Sequence, residues 1–309
     1  MRLNYRTLLP VIAVLAITTI TSCKKDASNQ QQVSSTDINT HTDDESVVSS
    51  QMDAGNVDVN NALQSTTSLD NTLSAGVTVT YDTANAVKKL TLNYSGDDIS
   101  HSRTRSGAVV VTIPAGVRWQ NAGAALTITY NNVKVTRKSD NKSVTINGTY
   151  TLTNVSGGLL ITLASSQPVV HTLTSNNMTV TFSDGTQRSW NVARKTTYSY
   201  NGGIVMTIEG THTDGSQANI AEWGTDRFGR AFTTLITTPI QIKQSCDFRI
   251  TAGVIQQIRP NAVVTITLGL TATGDVATTY PGATGYYYFK LVIVGITNPT
   301  PLYTIILPY

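Results

Sequence analysis

From about residue 76 to the end of the chain, apolar and polar residues alternate with a period of two. In the clearest run, threonines separate Leu126, Ile128 and Tyr130. Such alternation places apolar side chains on one face of a strand and polar side chains on the other, as in an antiparallel sheet with one buried face. No ten-residue window within 76–309 has a helical period. The sequence therefore predicts an all-β domain.

Short turns divide this region into strands that follow one another directly. Asp184-Gly185 separates the alternating runs 178–182 and 187–192, and an Asp-Gly pair accepts the positive φ values of a tight hairpin turn. The succession of such turns predicts an antiparallel, hairpin-rich meander that forms an extended twisted sheet or a sandwich. Two sub-sheets with a division near 196–202 are an option within this domain. The apolar run 159–163 is interpreted as one more strand.

The N-terminus carries the pattern of a bacterial lipoprotein signal. Arg2 and Arg6 precede an apolar run over 8–20, and Ile-Thr-Ser at 20–22 stands directly before Cys23. An apolar run of this length is too short to span a bilayer, which takes roughly 20 residues, and the cleavage site is not the Ala-x-Ala type of an ordinary secretory signal. We expect 1–22 to be removed and Cys23 to be lipidated, with several acyl chains giving stable anchoring.

The residues after Cys23 differ sharply in charge from the rest of the chain. Between 24 and 74 there are two lysines against eight acids, whereas from 75 onward there are 18 basic residues against 11 acids. The first stretch is rich in Ser, Thr, Asn, Gln and Asp and has no aromatic residue, so it lacks the apolar surface needed to fold alone. We therefore expect a disordered, acidic tether over 23–75 that connects the lipid to a β domain over 76–309.

Composition excludes several classes of protein. Only two cysteines are present, so if Cys23 carries lipid, Cys246 has no partner for a disulfide, and we expect it to be a small buried side chain in a strand. The excess of positive charge after 75 is not clustered, which argues against nucleic-acid binding. The chain also has no nucleophile elbow, no His-Glu-x-x-His zinc motif, no phosphate-binding glycine loop and no Cys-x-x-Cys pair.

Several segments of the chain share a pattern with known proteins. They are the start at 22–26 and the blocks 98–107, 126–132, 144–149, 182–186 with Trp190, and 232–253 with Pro239 and Cys246. Together they resemble a family of uncharacterised Bacteroidota envelope lipoproteins, over roughly 85–260. The family implies an all-β fold and an outer-membrane address, and it implies no activity. Relatives often carry additional cysteines near the positions of Gly96 and Thr273, so a role tied to those cysteines is absent here.

One group of titratable residues is the best candidate for a site: His212, Asp214, Glu222 and Asp226. If 204–214 and 217–226 pair as a hairpin around Asp214, His212 faces a residue near Ala218 or Asn219. An imidazole with carboxylates can transfer a proton or bind a divalent metal. The alternative is a charged turn with a solvated strand face, in which case alanine substitutions cost little stability. We favour this alternative and expect no catalytic residue, metal or cofactor.

Two weaker candidates have ordinary structural explanations. The acids and bases between 97 and 105 can solvate a turn, and they lack the spacing of a calcium loop. Aromatic residues on common strand faces can stack on a sugar, although cross-strand packing is their usual role. These candidates are Asp97, Asp98, His101, Arg103 and Arg105 for the turn, and Trp119, Trp190, Trp223, Tyr198, Tyr200, Tyr286 and Tyr288 for the sugar platform.

The sequence therefore favours an extracytoplasmic, lipid-anchored protein of the cell envelope with a binding or structural role rather than an enzyme. We expect the outer membrane as its location, the membrane itself as one partner, and a glycan, an envelope protein or a second copy as another. The alternative is a hydrolase directed at envelope or environmental polysaccharides that uses His212, Glu222 and Asp226. Titratable groups converging in one cleft would favour the hydrolase.

Overall fold

In the computed structural model of the chain, the alternating region forms one antiparallel sheet. The structure describes residues 76–82, 87–98, 101–279, 285–296 and 301–309, together with nine residues between 40 and 62. Cys23 and the signal at 1–22 lie outside these residues.

The sheet has fifteen strands among the described residues. The first strands are β1 Val77–Asp82, β2 Val87–Asp97, β3 Arg103–Pro114, β4 Ala124–Arg137, β5 Ser143–Asn154, β6 Val169–Phe182 and β7 Gln187–Tyr200. The later strands are β8 Ile204–Gly210, β9 His212–Asp214, β10 Gln217–Thr225, β11 Ala231–Lys243, β12 Arg249–Ile258, β13 Ala262–Leu270, β14 Tyr288–Gly295 and β15 Pro301–Pro308.

The order of strands in the sheet follows the order in the chain almost throughout. Strands β1 to β7 pair consecutively, β7 then pairs with β10, and β10 to β15 again pair consecutively. The first part of β7 pairs with β10 and its second part with β8, which also pairs with β11. This confirms the all-β antiparallel meander, in the form of one extended sheet. Strand β7 continues to residue 200 and pairs with β8 over 194–200, which includes part of the range given as an optional division into two sub-sheets.

The hairpin with the strongest sequence signal forms where it was predicted. Strands β6 and β7 pair with Thr181 opposite Gln187, and the Gly185 amide donates a hydrogen bond to the Phe182 carbonyl. Gly185 has a φ of 83°, a value that glycine adopts without strain. The Asp184 carboxylate accepts hydrogen bonds from the backbone and hydroxyl of Thr186, which closes the turn.

Two local predictions are wrong. The run 159–163 forms a 3-10 helix, Leu160–Ser165, instead of a strand. It is a continuous apolar run without alternation, and such a run does not distinguish a strand from a helix. The stretch 204–214 does not form one hairpin arm with 217–226: β8 pairs with β7 and β11, and only the short β9 pairs with β10.

One face of the sheet carries the main apolar core, and we call it the inner face. Strands β2 to β7 and β11 all contribute buried side chains to a single cluster there. A smaller cluster on β13 to β15 is built around Val264, Phe289 and Leu291. The inner-face cluster includes Leu92, Val109, Leu126, Ile128, Tyr130, Ile146, Tyr150, Met178, Val180, Trp190, Val192 and Phe232.

Residues from the predicted tether also belong to this core. The nine described residues between 40 and 62 have helical backbone, and we call them the helical segment; they are Thr40, Asp44, Val47, Val48, Gln51, Gly55, Asp58, Val59 and Ala62. Apart from the adjacent pairs 47/48 and 58/59, they are three or four residues apart, which places them on one side of a helix. Val48, Val59 and Ala62 are buried in the inner-face cluster. A disordered tether therefore does not describe these nine positions, and the rest of 23–75 lies outside the described residues.

Neighbouring strands approach one another closely along a line of β-bulges that crosses β3 to β6. The pairing register shifts at Gly107 in β3, between Tyr130 and Val133 in β4, and at Gly148 in β5. A bulge bends its strand and increases the local twist. At Gly107, where φ is 96°, a Cβ atom would lie only 2.2 Å from the backbone oxygen of Asn132. No side chain fits at this position unless the two strands separate.

Gly107→Ala therefore tests the importance of this close approach, and Gly96→Ala is its matched control. Gly96 also has a positive φ of 118°, but nothing lies within 4 Å of the place that a Cβ atom would occupy there. Both substitutions carry the backbone penalty of about 1–2 kcal/mol. Gly107→Ala should cost about 1–3 kcal/mol more, the usual cost of overpacking. Urea unfolding measures the difference, and equal losses in the two variants would contradict the bulge line as a packing constraint.

Candidate functional site

The four residues singled out in the sequence do not form a common site. Glu222 and Trp223 are neighbours in β10 and therefore project to opposite faces of the sheet. Glu222 lies on the inner face and is buried, with 1% of its surface exposed. Its carboxylate accepts a hydrogen bond of 3.0 Å from Trp190 Nε1 and forms an ion pair with Arg194.

His212 lies with Trp223 on the other face. The two rings stack with their centroids 4.1 Å apart and their planes 14° apart. His212 pairs through its backbone with Ile220, not with Ala218 or Asn219 as predicted, because the register shifts between Gln217 and Ile220. The imidazole is therefore separated from Glu222 by the thickness of the sheet.

The remaining two carboxylates belong to turns. Asp214 is exposed at the end of β9, whereas Asp226 is buried beside the β10–β11 turn. Asp226 accepts hydrogen bonds from the backbone of Phe228 and Arg230 and an ion pair from the Arg230 side chain. Within the described part of the chain, no hydrogen bond or ion pair joins two of these four candidate residues.

The acids near residue 97 stabilise a turn, as the sequence indicated. Asp97 accepts hydrogen bonds from Lys138 Nζ at 2.6 Å and from His101 Nδ1 at 3.2 Å. The hydrogen bond from Lys138 is the main reason why the pKa of the Asp97 carboxyl is below its usual value. The Asp98 carboxylate accepts the backbone N–H groups of the residues at 102 and 103. Arg105 is different, because it is buried on the inner face.

The candidate aromatic platform is largely used for packing. Trp119 and Trp190 are buried, and the Tyr198 ring lies edge-on against His171. Tyr200 and Tyr286 keep about half of their surface, 49% and 56%. Cys246 is buried as expected, but it lies in a short 3-10 helix, Gln244–Cys246, rather than in a strand.

Arginines packed against aromatic rings are the most distinctive polar feature around the inner face. Arg105 lies 4.6 Å from the centre of the Tyr94 ring, and Arg227 lies 3.7 Å from that of Phe182. Arg188, with 1% of its surface exposed, lies 4.5 Å from the Phe232 ring. A guanidinium is attracted to an aromatic face, but its burial is costly unless an anion also compensates the charge.

The helical segment supplies carboxylates to two of these arginines. Asp44 receives two hydrogen bonds from Arg227, from Nε at 2.7 Å and from Nη2 at 2.6 Å. This fork-to-carboxylate geometry is the strongest form of an arginine ion pair. Arg227 also donates to Asp184 in the β6–β7 turn at 3.0 Å. The segment is thereby fixed to the end of the sheet where two hairpin turns meet.

The second ion pair lies deeper and near the other end of the segment. Arg105 Nη1 donates to Asp58 Oδ2 at 2.9 Å, and the Tyr94 hydroxyl donates to the same oxygen at 3.2 Å. Burial raises the pKa of the Tyr94 phenol well above its usual value, and the nearby Asp58 carboxylate adds to the rise. The phenol therefore stays protonated and remains a donor to Asp58.

Between the two ion pairs the backbone of the segment approaches the sheet directly. At Gly55 a Cβ atom would lie 2.1 Å from the Tyr130 hydroxyl oxygen. Further along, the Tyr81 hydroxyl donates to the Ala62 carbonyl at 3.1 Å. The inner face thus fits a helix with small apolar residues and with carboxylates at defined positions. These contacts hold the helical segment on the inner face, which is the candidate functional site.

The candidate site has no counterpart in the comparisons with known proteins. No family model, no curated protein and no solved structure matches the chain. In the part of the chain that the structure describes, no group of three or more His, Cys, Asp or Glu residues is positioned to hold a metal ion.

Sequence reasoning missed the helical segment because its signals are weak. Its residues repeat at helical spacing, but valine, glycine and aspartate are poor helix formers, and the segment has no large apolar residue to mark a buried side. The available signal was the charge difference between 24–74 and the rest of the chain. That difference was interpreted as the mark of a tether. In the structure, two of the acids concerned, Asp44 and Asp58, form ion pairs with arginines of the sheet.

The burial of Glu222 reverses the expectation that its substitution costs little stability. Glu222→Ala removes the acceptor of Trp190 Nε1 and the counter-charge of Arg194, and breaking such a pair costs about 3–5 kcal/mol. Glu209→Ala is the matched control, because Glu209 forms a half-exposed pair with Lys195 at 2.7 Å. An exposed pair contributes about 0–1 kcal/mol. Chemical denaturation compares the two variants, and a loss below about 1 kcal/mol in Glu222→Ala would contradict a structural role.

Proposed function

We propose that this protein is a lipid-anchored component of the bacterial cell envelope, extracytoplasmic and at the outer membrane, with a non-enzymatic binding role. The lipoprotein signal that ends at Cys23 and the resemblance to Bacteroidota envelope lipoproteins support the address. Among the described residues, no helix has the length and apolar character needed to cross a membrane. In this proposal the acyl chains on Cys23 hold the protein to the membrane.

The inner face supports the binding role. Arg105 and Arg227 pair with carboxylates of a helix that packs across several strands. The same surface carries the aromatic rings and apolar side chains that a bound helix needs. These are the properties of a recognition surface, since charge and shape together select what lies on it. One observation carries the proposal: the inner face holds the helical segment through two ion pairs and through apolar packing.

An envelope protein is the partner class that fits this surface best. The inner face contacts the backbone and the acidic side chains of the helical segment, and we infer that this protein binds another polypeptide in the same way. A glycan is a second candidate only through Tyr200 and Tyr286, which keep about half of their surface exposed and therefore can stack on a sugar ring. Neither role requires a cofactor or nucleic acid.

The rival proposal is a polysaccharide hydrolase that uses His212, Glu222 and Asp226. A retaining or inverting hydrolase needs two carboxyl groups on either side of one bond, in a place that substrate reaches. Glu222 is instead paired with Arg194 and Trp190, and Asp226 with Arg230 and its own turn. His212→Ala separates the proposals, because it removes the one imidazole of the set without disturbing the inner face.

The test is complementation of a deletion strain with variants expressed at equal levels. We expect His212→Ala to restore the phenotype as the wild type does, because the imidazole stacks on Trp223 on the face opposite Glu222. Cys23→Ser should lose fatty-acid labelling, leave the membrane fraction and fail to complement. A folded, anchored His212→Ala protein that fails to complement would favour the hydrolase. An unlabelled wild-type protein would contradict the lipid anchor.

A further inference from the structure

The composition of the helical segment does not favour a stable helix away from the sheet. Val47, Val48 and Val59 are β-branched, and Gly55 lacks a side chain, so each lowers helix propensity. Isolated helices shorter than about 12–15 residues are marginal in water even when their sequences favour helix, and longer ones depend on good helix formers. The helical backbone of this segment therefore depends on its contacts with the inner face.

Those contacts are specific and local. Asp44 with Arg227 and Asp58 with Arg105 fix two points of the segment. Gly55 lies between them, at the point where a Cβ atom would meet the Tyr130 hydroxyl. Among its described residues, Val48, Val59 and Ala62 are buried in the apolar core of the inner face. The attachment combines these apolar contacts with the two ion pairs and with the close approach at Gly55, and single substitutions can remove each ion pair or disturb the close approach.

We propose that the inner face is a docking surface for an acidic amphipathic helix and that the helical segment binds it reversibly. A second copy of this chain can then place its own helical segment on the vacated surface. Every copy carries both the surface and the segment, so exchange between copies forms the same contacts without a new interface. Anchoring of copies in one membrane raises their effective concentration and favours such exchange. This inference rests on the proposed binding role and names its partner.

Release of the segment also changes how far the β domain can lie from the lipid on Cys23. With the segment docked, Thr40 lies 17 positions after Cys23. When the segment is released, the first residue held by the sheet is Val77, at the start of β1. The connection between the lipid and the sheet thus lengthens from 17 to 54 positions, which increases the greatest distance that it can span. Exchange between copies is therefore compatible with two domains on neighbouring anchors.

Proteolysis of the full chain with a glutamate-specific protease tests the docking. The chain has three glutamates, Glu45, Glu209 and Glu222, and Glu45 directly follows Asp44. Cleavage after Glu45 reports opening of the segment, because the cleavage rate follows the population of the open form.

We expect Asp44→Asn with Asp58→Asn to accelerate this cleavage about 100-fold, since each removed buried pair favours opening. Asp26→Asn with Asp37→Asn is the charge-matched control and should cleave as the wild type does. Unchanged cleavage in the Asp44→Asn, Asp58→Asn variant would overturn the docking.

Gly55→Ala distinguishes docking from helix propensity. Alanine is the better helix former, so a segment that was helical on its own would become more protected. Docking predicts the opposite, because the new Cβ would meet the Tyr130 hydroxyl, and we expect cleavage after Glu45 to rise about tenfold or more. Gly55→Ala with Tyr130→Phe should recover most of the protection. Slower cleavage in Gly55→Ala than in the wild type would overturn the proposal.

Replacement in trans is tested with a fluorescein-labelled peptide of residues 40–62. The peptide should bind the full-length Asp44→Asn, Asp58→Asn variant, whose own segment is released, and should bind the wild type at least tenfold more weakly. A peptide that carries the same two substitutions should not bind. Absence of binding to the opened variant, or equal binding of both peptides, would overturn the exchange. Neither assay requires a lipid anchor, so failure here leaves the envelope address to be judged by the labelling of Cys23.

Discussion

A guanidinium buried against apolar side chains requires an anion, and this constraint links the two parts of the chain. Arg105, with 7% of its surface exposed, lies on the inner face among residues that belong to the main core. The sheet does not supply its carboxylate; Asp58, 47 positions away in the N-terminal segment, does. Arg227 pairs with Asp44, 183 positions away, as well as with Asp184 of the β6–β7 turn. Two of the acids before residue 75 are therefore complementary to two of the basic residues after it within one molecule.

The sheet was predictable to the extent that its signals are local. Asp184-Gly185 defines its hairpin through backbone conformation alone, and the alternation around Leu126 defines which face is buried. The run 159–163 was not predictable, because a continuous apolar run carries no periodicity. The pairing of β8 with both β7 and β11 depends on contacts between distant strands, and turn residues do not encode it.

The candidate site could not be found from spacing in the sequence. His212 and Glu222 looked like parts of one cluster, but Glu222 lies on the inner face whereas His212 stacks on Trp223 on the other face. The register shift between Gln217 and Ile220 places His212 opposite Ile220. A register shift of one residue reverses which side chains share a face. The helical segment was missed for another reason: its described residues include poor helix formers, and the arginines that pair with it lie far away in the sequence. Charge balance is the property of the sequence that carried this information.

The most direct measurement of this account is a double-mutant cycle on Asp58 and Arg105. Asp58→Asn, Arg105→Gln and the double variant are compared with the wild type by urea unfolding of the full chain. Because the pair is buried and joins the segment to the sheet, we predict a coupling free energy of at least about 1.5 kcal/mol, within the range measured for close charge pairs. A coupling near zero, with the two single losses simply adding, would contradict the claim that this ion pair holds the segment on the inner face.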